Sequence, residues 1–164
     1  MSGMDDHNRQ PTADPTMARI VDAVQLGRSG QRARARDTLT ALWDEIGATG
    51  DAFHRCTLAH YLADLQDTTE AELTWDERAL AAVSDLTDER AQRYLSSLQV
   101  RAFLPSLHLN LADCHRRLGN IAPAREHLAL AREHVAHLPD DPYGEAIRAA
   151  IRDFTEEDPT DLRR

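Results

Sequence analysis

Residues 110–131, NLADCHRRLGNIAPAREHLALA, read as a helix, a turn at Gly119-Asn120 and a second helix. Small side chains stand where two helices would touch: Ala112 before the turn, Ala124 and Ala131 after it, with the larger Leu128 between them. Two antiparallel helices approach closely only where small residues face each other. The apolar face that is left over must then be buried on a further element. Aromatic residues make up only 5% of the chain, while Ala, Leu and Arg dominate, which favours helices over sheets.

The same offsets recur towards the N-terminus. Ala59, Gln66, Ala71 and Trp75 repeat the spacing of Ala112, Gly119, Ala124 and Leu128, with Ala79 one residue beyond the match to Ala131, and Ala23, Gly30, Ala35, Leu39 and Leu42 repeat the full spacing. Ala23 and Ala59 are 36 residues apart, close to the period of about 34 of helical-hairpin arrays. Ala59 and Ala112 are 53 apart, so about five extra helical turns are expected over residues 87–104.

This register resembles the tetratricopeptide repeat over residues 17–137. Its departures are Asp22 at a usual Leu site, Gln66 at the turn Gly, and Arg19, Arg55 and His108 where large aromatics are usual. The resemblance implies an all-α helical-hairpin solenoid of seven to eight helices, with an inserted or extended helix and a C-terminal capping helix. It also implies a concave groove lined by the first helix of each hairpin, where a protein or peptide partner binds. Carried over by register, the groove residues are Arg28, His60, Asp64, Asn110, Asp113, Arg116 and Arg117. Some relatives hold a terminal carboxylate with Lys and Asn. Here Asn110 alone matches, and Arg28, Arg116 and Arg117 would do similar work through bidentate guanidinium contacts.

Punctuation supports the helical reading. Thr16 is the expected cap of the first helix, where Ile20 and Val24 share a face, and Asp51 the expected cap of the third. Residues 84–87 read as a turn, and Thr87-Asp88-Glu89 as the start of the inserted helix, with Tyr94, Leu95 and Leu98 on its apolar face. Pro105 predicts a kink or break near residues 102–104, and Asp141-Pro142 opens the last helix. Residues 1–15 and 155–164 lack periodicity and read as disordered tails around a domain at 16–154.

Composition narrows the function. The net charge is −9, so nucleic acid and anionic membranes are not expected partners. The first residues have no apolar run, no stretch approaches a transmembrane helix, and cytoplasm is the expected compartment. No CxxC or HExxH spacing is present, so neither a metal nor another cofactor is expected. His127, His134 and His137 read as surface residues. The carboxylates, Asp64, Glu72 and Asp76 among them, read as exposed partners of Arg. The expected function is a non-catalytic adaptor or regulator. Two alternatives are a self-associating module that forms a homodimer through the inserted helix, and a small metal or thiol enzyme using Cys56, His60 and Cys114.

Overall fold

The computed structural model describes residues 14–94 and 100–154, and within them the protein is all-helical. Eight α-helices follow one another among the described residues: α1 (Pro15–Arg28), α2 (Arg32–Ile46), α3 (Ala52–Asp64), α4 (Thr69–Val83), α5 (Asp88–Tyr94), α6 (Leu104–Arg117), α7 (Ile121–Glu133) and α8 (Pro142–Arg152). Single 3-10 turns occupy Val100–Ala102 and Val135–His137, and no described residue is in a strand. No helix among the described residues is long and apolar enough to cross a membrane.

Sequential helices pair: α1 with α2, α3 with α4, and α6 with α7. Of the alanines picked out by spacing, Ala71 is half-buried and the other seven are buried within the bundle. Ala23, Ala35, Ala59, Ala79, Ala112, Ala124 and Ala131 are all fully buried. The pairs are joined by apolar clusters that pass from one to the next. Ile20, Leu39, Leu42, Leu58 and Leu62 link α1, α2 and α3. Ala59, Ala79, Ala82 and Leu107 link α3, α4 and α6. Ala112, Leu128, Ala131 and Ile151 link α6 and α7 to α8. Trp43 and Trp75 meet edge to face at 5.1 Å, and Arg78 lies 4.4 Å above the Trp75 ring. Each contact of this kind stabilises by about 0.5–1.5 kcal/mol beyond the area it buries.

The turns differ in how they end their helices. Gly119 follows α6 with φ of +78°, a conformation that L side chains rarely adopt. Gln66 holds the matching position after α3 and compensates with its side chain, whose Nε2 donates to the Leu62 carbonyl at 2.8 Å. Two arginines of α2 finish the same end. Arg32 donates to the carbonyls of Asp64 and Gln66 at 2.9 and 2.8 Å, and Arg36 pairs with Asp67 at 2.7 Å. The cations thus meet the negative end of the α3 dipole while tying two helix pairs together.

Three expectations are corrected here. Asp14, not Thr16, caps α1: its carboxylate accepts from the Met17 amide at 3.0 Å, and the helix starts at Pro15. Asp14 and Pro15 were expected in the N-terminal tail; residues 1–13 and 155–164 of the expected tails lie outside the described residues. The insert is not one long helix. α5 has seven residues, a 3-10 turn follows at Val100–Ala102, and α6 begins at Leu104 with Pro105 in its first turn. The break near residues 102–104 is therefore present, with Pro105 where its missing N–H costs nothing. Leu95, Leu98 and the Tyr94 side chain lie outside the described residues.

Arg90 holds α5 in place. Its Nε donates to Asp51 at 2.6 Å, its Nη2 to Asp14 at 3.3 Å, and its guanidinium lies 5.1 Å from the Phe53 ring. Asp14 and Asp51 cap α1 and α3, so one cation joins two helix N-termini to the inserted helix. Burial alone would push the Asp14 carboxyl up, but hydrogen bonds from His54 and the Met17 amide hold it below its ordinary value. The Asp88 carboxylate accepts from the Val100 amide at 2.8 Å, which closes the chain across the insert.

At the other end, α8 packs on α6 and α7. A Cβ at Gly144 would fall 1.9 Å from the Pro139 carbonyl oxygen, so only glycine fits there. Arg148 then donates to the Leu138 and Pro139 carbonyls at 3.0 and 3.3 Å.

Two variants test this packing. Ala112→Leu forces an isobutyl group into the α6–α7 contact and should cost on the order of 1–3 kcal/mol in urea unfolding. Coincident midpoints for variant and parent would contradict the register. Arg90→Met should cost on the order of 2 kcal/mol and expose the amides of α5 to hydrogen exchange.

Candidate functional site

Two adjoining recesses open beside the first helices of the pairs. The larger, about 230 Å³, is lined by Phe53, Cys56, Thr57, His60 and Tyr61 of α3, by Phe103, Ser106 and Leu107, and by Tyr143 of α8. The second, about 200 Å³, is lined by Val24, Gly27 and Arg28 of α1 and by Tyr61, Asp64 and Leu65 of α3. Tyr61 belongs to both. The first recess is apolar and uncharged. Burial pushes the Cys56 thiol up to about 12 and drives His60 towards its neutral form. The Thr57 hydroxyl is taken up by the Phe53 carbonyl at 2.8 Å. At the rim, the half-exposed Tyr143 donates its hydroxyl to Ser106 Oγ at 3.1 Å. The second recess differs, because Arg28 and Asp64 give it charge.

The expected groove residues therefore separate into two groups. Arg28, His60 and Asp64 line the recesses. Asn110 is half-buried on α6. Asp113, Arg116 and Arg117 are occupied with one another: Arg116 donates to Asp113 Oδ1, and Arg117 Nε to Asp113 Oδ2 at 2.9 Å. The one-turn spacing that gathers the three on one helix face is what neutralises them. Arg117 also pairs with Glu72 of α4 at 2.8 Å and donates to Thr69 Oγ1 at 3.1 Å. Neither guanidinium offers the free fork that the register suggested, whereas Arg28 is exposed and has no ion-pair partner among the described residues.

Cys114 does not join Cys56 and His60. It faces α4 and donates to Asp76 Oδ2 at 3.6 Å. Asp76 is no exposed ion-pair partner of Arg: it is fully buried, and burial, with Glu72 beside it, pushes its carboxyl up to about 7. Among the described residues, the group of metal-ligating side chains close enough to share one ion is Glu72, Asp76 and Cys114.

The histidines also depart from expectation. His127, His134 and His137 are not scattered on the surface. They stack with His108 and His115 of α6 in a continuous ladder, in the order His115, His127, His108, His134, His137. Successive ring centroids lie 5.6, 5.3, 6.2 and 5.8 Å apart. At its centre the Nδ1 atoms of His108 and His127 are 3.1 Å apart, so one ring donates and the other accepts, and the accepting ring must be neutral. Burial and then the charges of His127 and His134 hold His108 down to about 4, and burial followed by His115 lowers His127. A sequence signal existed: His108 and His115, and His127 and His134, are each seven residues apart, so each pair lies on one face of its helix.

Compared with known proteins, the chain matches no family model, no curated protein and no solved structure.

The ladder gives a pH prediction. A His held below its unfolded value stabilises the fold above about pH 6.5, and that contribution is lost as pH falls towards its folded value. Urea stability of the parent should therefore drop between about pH 6.5 and 4, on the order of 2 kcal/mol further than that of His108→Phe. Parallel profiles for the two proteins would show that His108 is not held neutral by the fold.

Proposed function

We propose that the chain is a non-catalytic protein-interaction module, an adaptor or regulator whose helix pairs stack in the manner of tetratricopeptide repeats. The observation that carries this reading is the pair of recesses sharing Tyr61, lined by helices that the repeat register assigns to the binding face. A recess of about 230 Å³ is below the ~300–1,000 Å³ usual for small-molecule sites. It suits a single bulky apolar side chain of a partner segment, anchored as interface hot spots are. Arg28, beside the second recess, suits a carboxylate on the same segment. The chemistry of the first recess agrees with binding rather than catalysis. Its one thiol is held protonated by burial, whereas a nucleophilic Cys needs its pKa lowered.

A photo-crosslinking residue introduced at Thr57 or Arg28 and irradiated in the native host should capture a distinct protein. The same residue at the exposed Arg132 of α7 should not. In the captured complex, Tyr61→Ala and Arg28→Glu should each weaken binding by about tenfold, the second less so at high salt. Capture from position 132 alone would move the interface to the other face. Capture of a second copy of the chain would favour the homodimer instead.

A further inference from the structure

The seam between α4 and α6 holds a group of side chains that the proposed binding function does not use. Glu72 and Asp76 are four residues apart on α4 and so share a face, and that face meets Cys114 of α6. One ligating atom from each of the three lies within 4.8 Å of the other two. Cys114 Sγ and Asp76 Oδ2 are 3.6 Å apart. With Zn–S of about 2.3 Å and Zn–O of about 2.1 Å, two ligands at a tetrahedral angle are separated by about 3.6 Å.

A second observation concerns Asp76 alone. Its side chain is fully buried, and Oδ1 has no hydrogen-bond partner among the described residues. A buried carboxylate oxygen left without a partner is costly, and folds supply it with a donor or a cation. The surroundings also suit a cation in charge. Two carboxylates and a thiolate carry −3. A divalent ion and Arg117, whose Nη2 lies 2.8 Å from Glu72 and 3.5 Å from Cys114 Sγ, bring the seam to neutrality.

We infer that Glu72, Asp76 and Cys114 form a binding site for a thiophilic divalent cation, zinc above all, that clamps α4 to α6. Thiolate with carboxylate selects zinc over magnesium or calcium, which take oxygen ligands only. On binding, the Cys114 S–H proton passes to solvent and the sulfur lone pair goes to the metal, with no change of oxidation state. With three protein ligands the fourth coordination position is left to water.

The test uses the full chain, stripped with a chelator and titrated with Co²⁺. One equivalent of cobalt should give a thiolate-to-metal charge-transfer band, zinc should abolish the band by displacement, and zinc alone should raise the melting temperature. Cys114→Ser should lose the band, while Cys56→Ser and His108→Gln should keep it, which separates this site from the other thiol and from the histidine ladder. Should Cys114→Ser fail to fold, Glu72→Gln replaces a partly exposed carboxylate by its isostere and should weaken cobalt binding by about tenfold or more. Absence of a charge-transfer band in the parent, its persistence in Cys114→Ser, or parental affinity in Glu72→Gln would each overturn the site.

Discussion

The close approach of paired helices, set by alanine, is the constraint on which the rest of the structure depends. Ala23, Ala35, Ala59, Ala79, Ala112, Ala124 and Ala131 present a single methyl group at each contact and are fully buried. Their small size lets the backbones come together, so the larger residues beside them are turned outwards. Leu58 and Leu62 then meet the first pair, and Leu107 the second. The recesses between the first helices of the pairs follow from the same rule. Tyr61 stands between them, with one recess on either side.

Charge does a different task, which is to join one pair to another. Arg32 and Arg36 reach from α2 to the end of α3, Arg90 reaches from α5 to the starts of α1 and α3, and Arg117 reaches from α6 to α4. Every basic residue of the chain is Arg. At these joints a planar fork contacts two acceptors at once, as Arg32 does with two carbonyls, a geometry that a single ammonium does not reproduce. Surface ion pairs by themselves contribute little, but these also satisfy carbonyls at the end of α3 and add to the hydrogen bonds of the cap carboxylates Asp14 and Asp51.

The helices were legible because their signals are local. Alanine spacing, the glycine at 119 and Pro142 each act within a turn or two of where they stand, so the all-helical character and most of the boundaries could be read directly. The first cap was misplaced by two residues because Asp14 and Thr16 are both good caps, and a tertiary partner, His54 at 2.8 Å, favours the aspartate. The insert was misread for a similar reason. Length alone asked for five turns, and nothing local showed that the chain would instead bend back through the Asp88–Val100 contact. The candidate sites were least legible. Arg117 looks free in a sequence because Glu72 lies more than forty positions away, and Asp76 looks exposed because its neighbours Glu72 and Glu77 are polar. Burial of such groups is decided by which helix packs on them, and that is information no window of residues contains.

The crowding at Gly144 fixes the seat of the last helix. Because the Pro139 carbonyl fills the space where a side chain would begin, α8 can lie this close to residues 138–141 only through a glycine. Arg148 ties the Leu138 and Pro139 carbonyls to the same helix. Through Ile151, α8 then covers Ala112, Leu128 and Ala131 of α6 and α7. The helix is thus a lid whose position hangs on one residue without a side chain: a larger residue at 144 would lift it and bare apolar surface through which chains can associate.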